Sequence, residues 1–167
     1  MMSNQKEIIY NIKLIAFDFD GVFTNNMVLI SEKGEESVLC CRSDGIGLKR
    51  LNDIGIQTII ISTETNNLVL ERAKKLNVEC FNAVNDKYTL LKHLAEIKKI
   101  KLIEIAYVGN DINDLSCLKS VGFPIVVADC WDEVEAISKY KTTRKGGHGA
   151  VREICDLIYN TVTKNNE

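Results

Sequence analysis

Two aspartates that flank a single phenylalanine close an apolar run at Phe17-Asp18-Phe19-Asp20-Gly21-Val22-Phe23-Thr24. Carboxylates at the end of a buried strand are costly unless a cation or a reaction uses them. One carboxylate can attack phosphorus while the other protonates the departing oxygen. More polar groups stand where later apolar runs end: Ser62 and Thr63 after Ile60-Ile61, Lys87 opening a helical stretch, and Gly109-Asn110-Asp111-Ile112-Asn113-Asp114. A hydroxyl and an ammonium suit the equatorial oxygens of a phosphoryl group in transfer. Hard oxygen donors suit Mg²⁺, which commonly shares its shell with a substrate phosphate. Taken singly, each group also has a plainer role. Ser62 can cap a helix, Lys87 can be a surface lysine, and Glu64, Arg72 and Lys75 can form an exposed ion-pair set.

To bring these groups together, several strands must end side by side. Leu14 to Phe19, Gln57 to Ile61, Glu104 to Val108 and Pro124 to Val127 read as strands, with a short one near Cys80. Their apolarity is continuous, as in a parallel sheet covered on both faces. Helical stripes fall between them. Leu48, Leu51 and Ile54 follow a capping Asp44 and precede Gly55; Val69, Ala73 and Leu76 form the next stripe. Tyr88, Leu91 and Ala95 follow Asp86, Val134 and Ile137 follow Asp132, and Val151, Ile154 and Ile158 form the last. The fold class is therefore α/β, a doubly wound parallel sheet whose sites lie at the carboxyl ends of its strands. Between the first strand and first helix, Met27 to Ile30 and Ser37 to Cys41 flank a turn containing Gly34. They predict a β-hairpin insertion over residues 25–42. Its apolar residues need another surface, such as a neighbouring subunit.

The 167 residues make one ordinary domain, 1–167, with a polar N-terminal segment over 1–11 and a C-terminal tail and helix over 144–167. With 46% hydrophobic and 26% charged residues, the composition is that of a globular chain and argues against disorder. A net charge of -2 gives no strong pull toward nucleic acid or an anionic membrane. No apolar run approaches the ~20 residues of a membrane span, and residues 1–11 hold no signal-peptide core. The expectation is a soluble, cytoplasmic protein with no nucleic-acid or membrane partner. Six scattered cysteines without zinc spacing read as reduced, structural thiols. Trp131 reads as packing, and His93 as surface or packing.

The stretch Asp18 to Thr24, with Ser62, Lys87 and Gly109 to Asp114, resembles motifs one to four of the haloacid dehalogenase superfamily. The resemblance covers the chain from about Ile12 to Leu157. It implies that Asp18 is the nucleophile and that Asp20 is the general acid/base, which also binds metal through its main-chain carbonyl. Ser62 and Lys87 then hold the phosphoryl group. Asp18, Asp20 and Asn110 would ligate Mg²⁺, with Asp111 an alternative ligand and Asp114 behind them. Members with a cap domain insert it between motifs one and two or two and three. Here 41 residues separate Asp20 from Ser62 and 24 separate Ser62 from Lys87. Both stretches are used up by the elements above, so the chain reads as capless.

Within the superfamily, the hairpin, Arg42-Ser43-Asp44-Gly45-Ile46-Gly47 and Lys145-Gly146-Gly147-His148-Gly149-Ala150-Val151-Arg152-Glu153 resemble the 3-deoxy-octulosonate 8-phosphate (KDO 8-phosphate) phosphatases. That family implies a homotetramer in which a neighbour's hairpin and tail help close the site. It also implies substrate contacts at Asp44, Gly45, Thr63 and His148. Ser62-Thr63-Glu64 stands where those enzymes have Thr-Gly-Arg. Glu64 with Arg72 and Lys75 on the next helix looks like relatives acting on nonulosonate 9-phosphates. In that reading a guanidinium grips the sugar carboxylate and Glu64 accepts hydroxyl hydrogen bonds. The implied function is a Mg²⁺-dependent phosphatase of a 2-keto-3-deoxy sugar acid phosphate, acting through an aspartyl-phosphate.

Asn110 stands where the family usually has a metal-binding aspartate, and His148 where it has arginine. Together they motivate an alternative, a catalytically weakened assembly module associated with sialic-acid activation. A phosphoacceptor signalling domain is disfavoured by motif order, because its lysine comes last in the chain.

Overall fold

In the computed structural model the described residues run from 3 to 164, so the ends of the expected segment 1–11 and tail 144–167 lie outside them. In chain order the elements are α1 (Ser3–Tyr10), β1 (Leu14–Phe17), β2 (Leu29–Ile30), β3 (Glu36–Ser37), α2 (Asp44–Asp53), β4 (Gln57–Ile61), α3 (Leu68–Leu76) and β5 (Glu79–Phe81). They continue with α4 (Lys87–Lys98), β6 (Ile105–Gly109), α5 (Leu115–Ser120), β7 (Phe123–Val126), α6 (Asp132–Glu135), β8 (Tyr140–Lys141) and α7 (Ala150–Thr163).

Six strands form one parallel sheet in the order β5-β4-β1-β6-β7-β8. Because successive strand residues point to opposite faces, β1 divides between two cores. Ile15 and Phe17 join Leu48 and Leu51 of α2, Val69 and Ala73 of α3, and Val151 and Ile154 of α7. Leu14 and Ala16 join Leu91 and Leu94 of α4, Cys117 and Leu118 of α5, and Val134 of α6. Both faces are therefore covered, which is why the strands carry continuous apolar runs. From β1 the chain moves outward to β4 and β5, then returns to the other side of β1 with β6. The reversal leaves a crevice beyond the carboxyl ends of β1 and β6, where an open α/β sheet takes its ligand.

Several expectations need correction. The strand expected over Leu14 to Phe19 ends at Phe17, although the Asp18 N–H still donates to the Val108 carbonyl at 2.9 Å. The polar N-terminal segment forms α1, held by the buried Ile9. Helix α5 and strand β8 lacked a readable signal, being only six and two residues long. Asp44 and Asp132 do not cap their helices. Each is the first helical residue, and the cap positions belong to Ser43 and Trp131. Asp86 does cap α4, its carboxylate accepting from the Thr89 N–H. The hairpin pairs over a shorter stretch than expected, Leu29 with Ser37 and Ile30 with Glu36, and its base is closed by a bridge between Thr24 and Cys40. The six cysteines are free thiols, and no helix is long and apolar enough to cross a membrane among the described residues.

The segment before α7 clamps the loop that follows β1. The Gly147 N–H donates to the Val22 carbonyl at 3.1 Å, and the Gly146 N–H to Asp129 Oδ1 at 2.9 Å. A Cβ on Gly146 would lie 1.8 Å from the Gly21 carbonyl oxygen, a backbone atom with no side chain to rotate away. Gly146→Ala is thus expected to cost about 1–3 kcal/mol of stability through overpacking. Denaturant midpoints at equal m-value would read that loss; an unchanged midpoint would show that the clamp yields freely.

Candidate active site

Asp18 sits immediately past β1 and is 3% exposed. Its Oδ1 accepts from the Phe19 N–H at 2.7 Å and faces Lys87 Nζ at 2.7 Å. Its Oδ2 takes no hydrogen bond among the described residues. Lys87 is placed by the Asp86 cap at the first position of α4, and its Nζ also donates to Asp114 Oδ1 at 2.8 Å. Asp114 Oδ1 also accepts from the Tyr107 hydroxyl at 2.7 Å, and its Oδ2 from the Asn110 N–H at 3.0 Å. The turn after β6 folds the Asp114 carboxylate back over Gly109, where a Cβ would lie 2.5 Å from it.

Electrostatics follow from this burial. Desolvation raises the Asp18 carboxyl well above the ordinary aspartate range, Asp114 adds to the effect, and Lys87 opposes it. Burial alone would depress the Lys87 ammonium, but the two carboxylates outweigh it and hold the lysine above its usual value. Asp20 is half-buried and is likewise raised by burial, with Glu64 and Glu36 adding to the effect. The Thr24 hydroxyl, donating to Asp20 Oδ1 at 3.2 Å, pulls the other way. Thr24 itself is buried and accepts from the Gly21 and Asn26 N–H groups, so one hydroxyl organises the whole loop.

Above these groups opens a cleft of about 470 Å³. Asp18, Asp20, Thr63, Glu64, Asn110 and Asp111 line it, joined by Glu36 of the hairpin and Asn66 before α3. Asp18, Asp20 and Asn110 come from two strand ends and offer oxygen alone, the donor type that a hard divalent cation takes. They are not a three-carboxylate or histidine cluster, and none exists among the described residues. Two carboxylates, one amide oxygen and one adjacent ammonium can bind a cation, accept a phosphoryl group and move a proton.

A family model described as haloacid dehalogenase-like hydrolase matches residues 48–154. The 3-deoxy-D-manno-octulosonate 8-phosphate phosphatase KdsC of Yersinia pestis is 32% identical over 149 residues, 89% of this chain and 80% of that protein. The chain belongs to the haloacid dehalogenase-like hydrolases. Its sheet carries a hairpin and no inserted domain, placing it with the capless KDO 8-phosphate phosphatase-like members of that family. The Moraxella catarrhalis 3-deoxy-D-manno-octulosonate 8-phosphate phosphatase, solved in complex with magnesium, phosphate and KDO, superposes with a TM-score of 0.94. It is 34% identical, over 99% of this chain and 96% of that one. The cobalt-bound Haemophilus influenzae deoxy-D-mannose-octulosonate 8-phosphate phosphatase gives 0.89 at 28% identity, over 94% and 92%.

Other expected site residues lie outside the cleft of their own chain. Ser62 is buried at the end of β4, where its hydroxyl accepts from the Glu64 N–H at 3.1 Å rather than capping α3. Arg72 turns back from α3 and donates to the Cys41 carbonyl at 2.8 Å. Lys75, one turn on, is exposed, as is His148, whose Nδ1 lies 2.8 Å from the Gly146 carbonyl. Gly45 abuts Leu76 at the start of α2. Asp44 is fully buried, one oxygen accepting from the Arg152 N–H at 3.1 Å and the other without a partner. Sequence reading missed Thr24, Tyr107, Glu36 and Asn66. Thr24 was visible inside the first motif; Tyr107 was hidden within an apolar strand. Trp131 corrects the packing expectation: it is 59% exposed, and its main-chain N–H donates to the Asn110 carbonyl at 2.9 Å.

Removing the shared ammonium leaves two buried carboxylates unpaired. Lys87→Met is expected to cost about 3–5 kcal/mol, and adding Asp114→Asn should recover part of it in the same unfolding assay. Full stability of Lys87→Met alone would contradict the pairing. Asp44 supplies a pH test. Burial raises its carboxyl to about 6, against hydrogen bonding from Arg152 and the charges of Arg72 and Arg152. A folded-state value above the unfolded one means the native state binds more protons. This contribution therefore falls as pH rises from about 4 to about 6. Asp44→Asn should remove that decline from the stability-pH curve, and an unaltered curve would contradict the assignment.

Proposed function

We propose that this chain is a Mg²⁺-dependent phosphatase of 2-keto-3-deoxy sugar acid phosphates, nonulosonate 9-phosphates or KDO 8-phosphate, acting through an aspartyl-phosphate on Asp18. Its family and its relatives make it a phosphoric monoester hydrolase of the KDO 8-phosphate type. The observation that carries the finer reading is the state of Asp18. Both its hydrogen bonds fall on Oδ1, leaving Oδ2 free beside the cleft that Asp20 also lines.

Asp18 Oδ2 attacks phosphorus, and the bond from phosphorus to the sugar oxygen breaks as the new one forms. Asp20, whose raised carboxyl retains a proton more readily than an ordinary aspartate, gives it to the leaving oxygen. Asp20 then takes a proton from the water that attacks phosphorus, releasing phosphate and restoring Asp18. Throughout, Lys87 holds Asp18 Oδ1 in place. Asp18, the Asp20 main-chain carbonyl and the Asn110 amide would hold Mg²⁺, which when bound supplies positive charge against the phosphate dianion. Asp18→Asn should lower phosphate release by roughly a thousandfold or more at saturating Mg²⁺; retained activity would sink the mechanism.

The substrate is an anion at both ends, and the cleft lining carries five carboxylates and no lysine, arginine or histidine. None of the lining residues therefore offers the sugar carboxylate a cation. The hairpin offers a reason for a second copy to be near: Met27, Leu29 and Leu39 are 69%, 74% and 74% exposed. A homotetramer joined through the hairpin would cover these side chains and bring a neighbour's basic residues to the mouth. Glu64, at that mouth, accepts sugar hydroxyls. Leu29→Asp with Leu39→Asp should give a smaller species by light scattering and a raised KM; an unchanged mass would remove the hairpin from the assembly. Asn110, a neutral ligand, favours a second reading as a weakened assembly module. That reading predicts assembly without turnover, and turnover restored by Asn110→Asp.

A further inference from the structure

Tyr107 is a fully buried titratable group that the mechanism above does not use. It lies on β6 in the core formed by Leu91, Cys117 and Leu118, where a phenylalanine would fill the same space. Its hydroxyl donates to Asp114 Oδ1 at 2.7 Å. The same oxygen receives Lys87 Nζ at 2.8 Å, and Nζ lies 2.7 Å from Asp18 Oδ1. Three consecutive contacts thus link four side chains from the strand interior to the proposed nucleophile. Burial and the neighbouring Asp114 carboxylate push the phenol far above its ordinary range, so it keeps its proton and acts as donor.

We propose that Tyr107 is a positioning residue for Lys87. By taking part of the hydrogen-bonding capacity of Asp114 Oδ1, it keeps the ammonium shared between Asp114 and Asp18. Without the hydroxyl, Oδ1 has Lys87 as its one side-chain donor, and the ammonium is drawn off the nucleophile. The inference rests on the phosphatase reading for its catalytic consequence but not for its structural one.

The test compares Tyr107→Phe with Leu118→Ala, which perturbs the same core without removing a hydrogen bond to Asp114, at a temperature where both are folded. Tyr107→Phe should lower kcat roughly 10- to 100-fold with little change in KM, as expected for a misplaced catalytic group. Leu118→Ala should keep the wild-type kcat. In a ¹H–¹⁵N spectrum of lysine ammonium groups, the Lys87 signal, identified by its loss in Lys87→Arg, should move in Tyr107→Phe and stay in Leu118→Ala. An unmoved signal overturns the inference even if the wild-type protein hydrolyses no ester, an outcome that would sink the phosphatase reading instead. Wild-type kcat in Tyr107→Phe, or an equal loss in Leu118→Ala, overturns it too.

Discussion

A single ammonium, that of Lys87, stands between two buried carboxylates, Asp114 and the cleft-lining Asp18, and the carboxyl end of the sheet is arranged around that triad. Burying Asp18 and Asp114 without it would leave two like charges facing each other in a low dielectric. With it, Asp18 is fixed through one oxygen and keeps the other free. Every neighbouring element serves this arrangement. The Asp86 cap fixes where α4 begins, Gly109 lets the Asp114 carboxylate fold back, and the sheet reversal brings β1 and β6 side by side.

The second constraint is the loop after β1. Asp20, the proposed general acid, is held from within by Thr24, and its loop is held from outside by the Gly146-Gly147 segment, which packs backbone against backbone. The hairpin leaves this loop at Thr24 and returns at Cys40, so its base is tied to the same frame. From there its two arms carry the exposed side chains of Met27, Val28, Leu29, Ile30 and Leu39 while contributing Glu36 to the cleft. In the proposed function, phosphorus would react at the hydrogen-bonded side chains and the sugar would lie in the open cleft.

The legible parts of the sequence were those governed by local rules. Continuous apolar runs marked the inner strands because both sheet faces are covered, and carboxylates at their ends marked the site because burial makes such groups expensive. The less legible parts depend on tertiary contacts. Strand β8 is two residues long and exists by pairing with β7. Asp44 has the composition of a cap yet is buried inside the first turn of α2, bonded to the distant Arg152 backbone. Arg72 shares its helix with residues of the right spacing, but one of its guanidinium nitrogens donates to the Cys41 carbonyl and its buried Nε has no partner among the described residues. Tyr107 looks like one more apolar strand residue until its hydroxyl is seen to reach Asp114.

The central claim, that this cleft hydrolyses a terminal phosphate from a 2-keto-3-deoxy sugar acid, is tested most directly by phosphate release with and without Mg²⁺. KDO 8-phosphate, a deoxynonulosonate 9-phosphate and N-acetylneuraminate 9-phosphate would be compared. The account predicts Mg²⁺-dependent release from at least one of the three, with preference for the nine-carbon esters if Glu64 reads the longer hydroxyl chain. No release from any of them at saturating Mg²⁺ would contradict it.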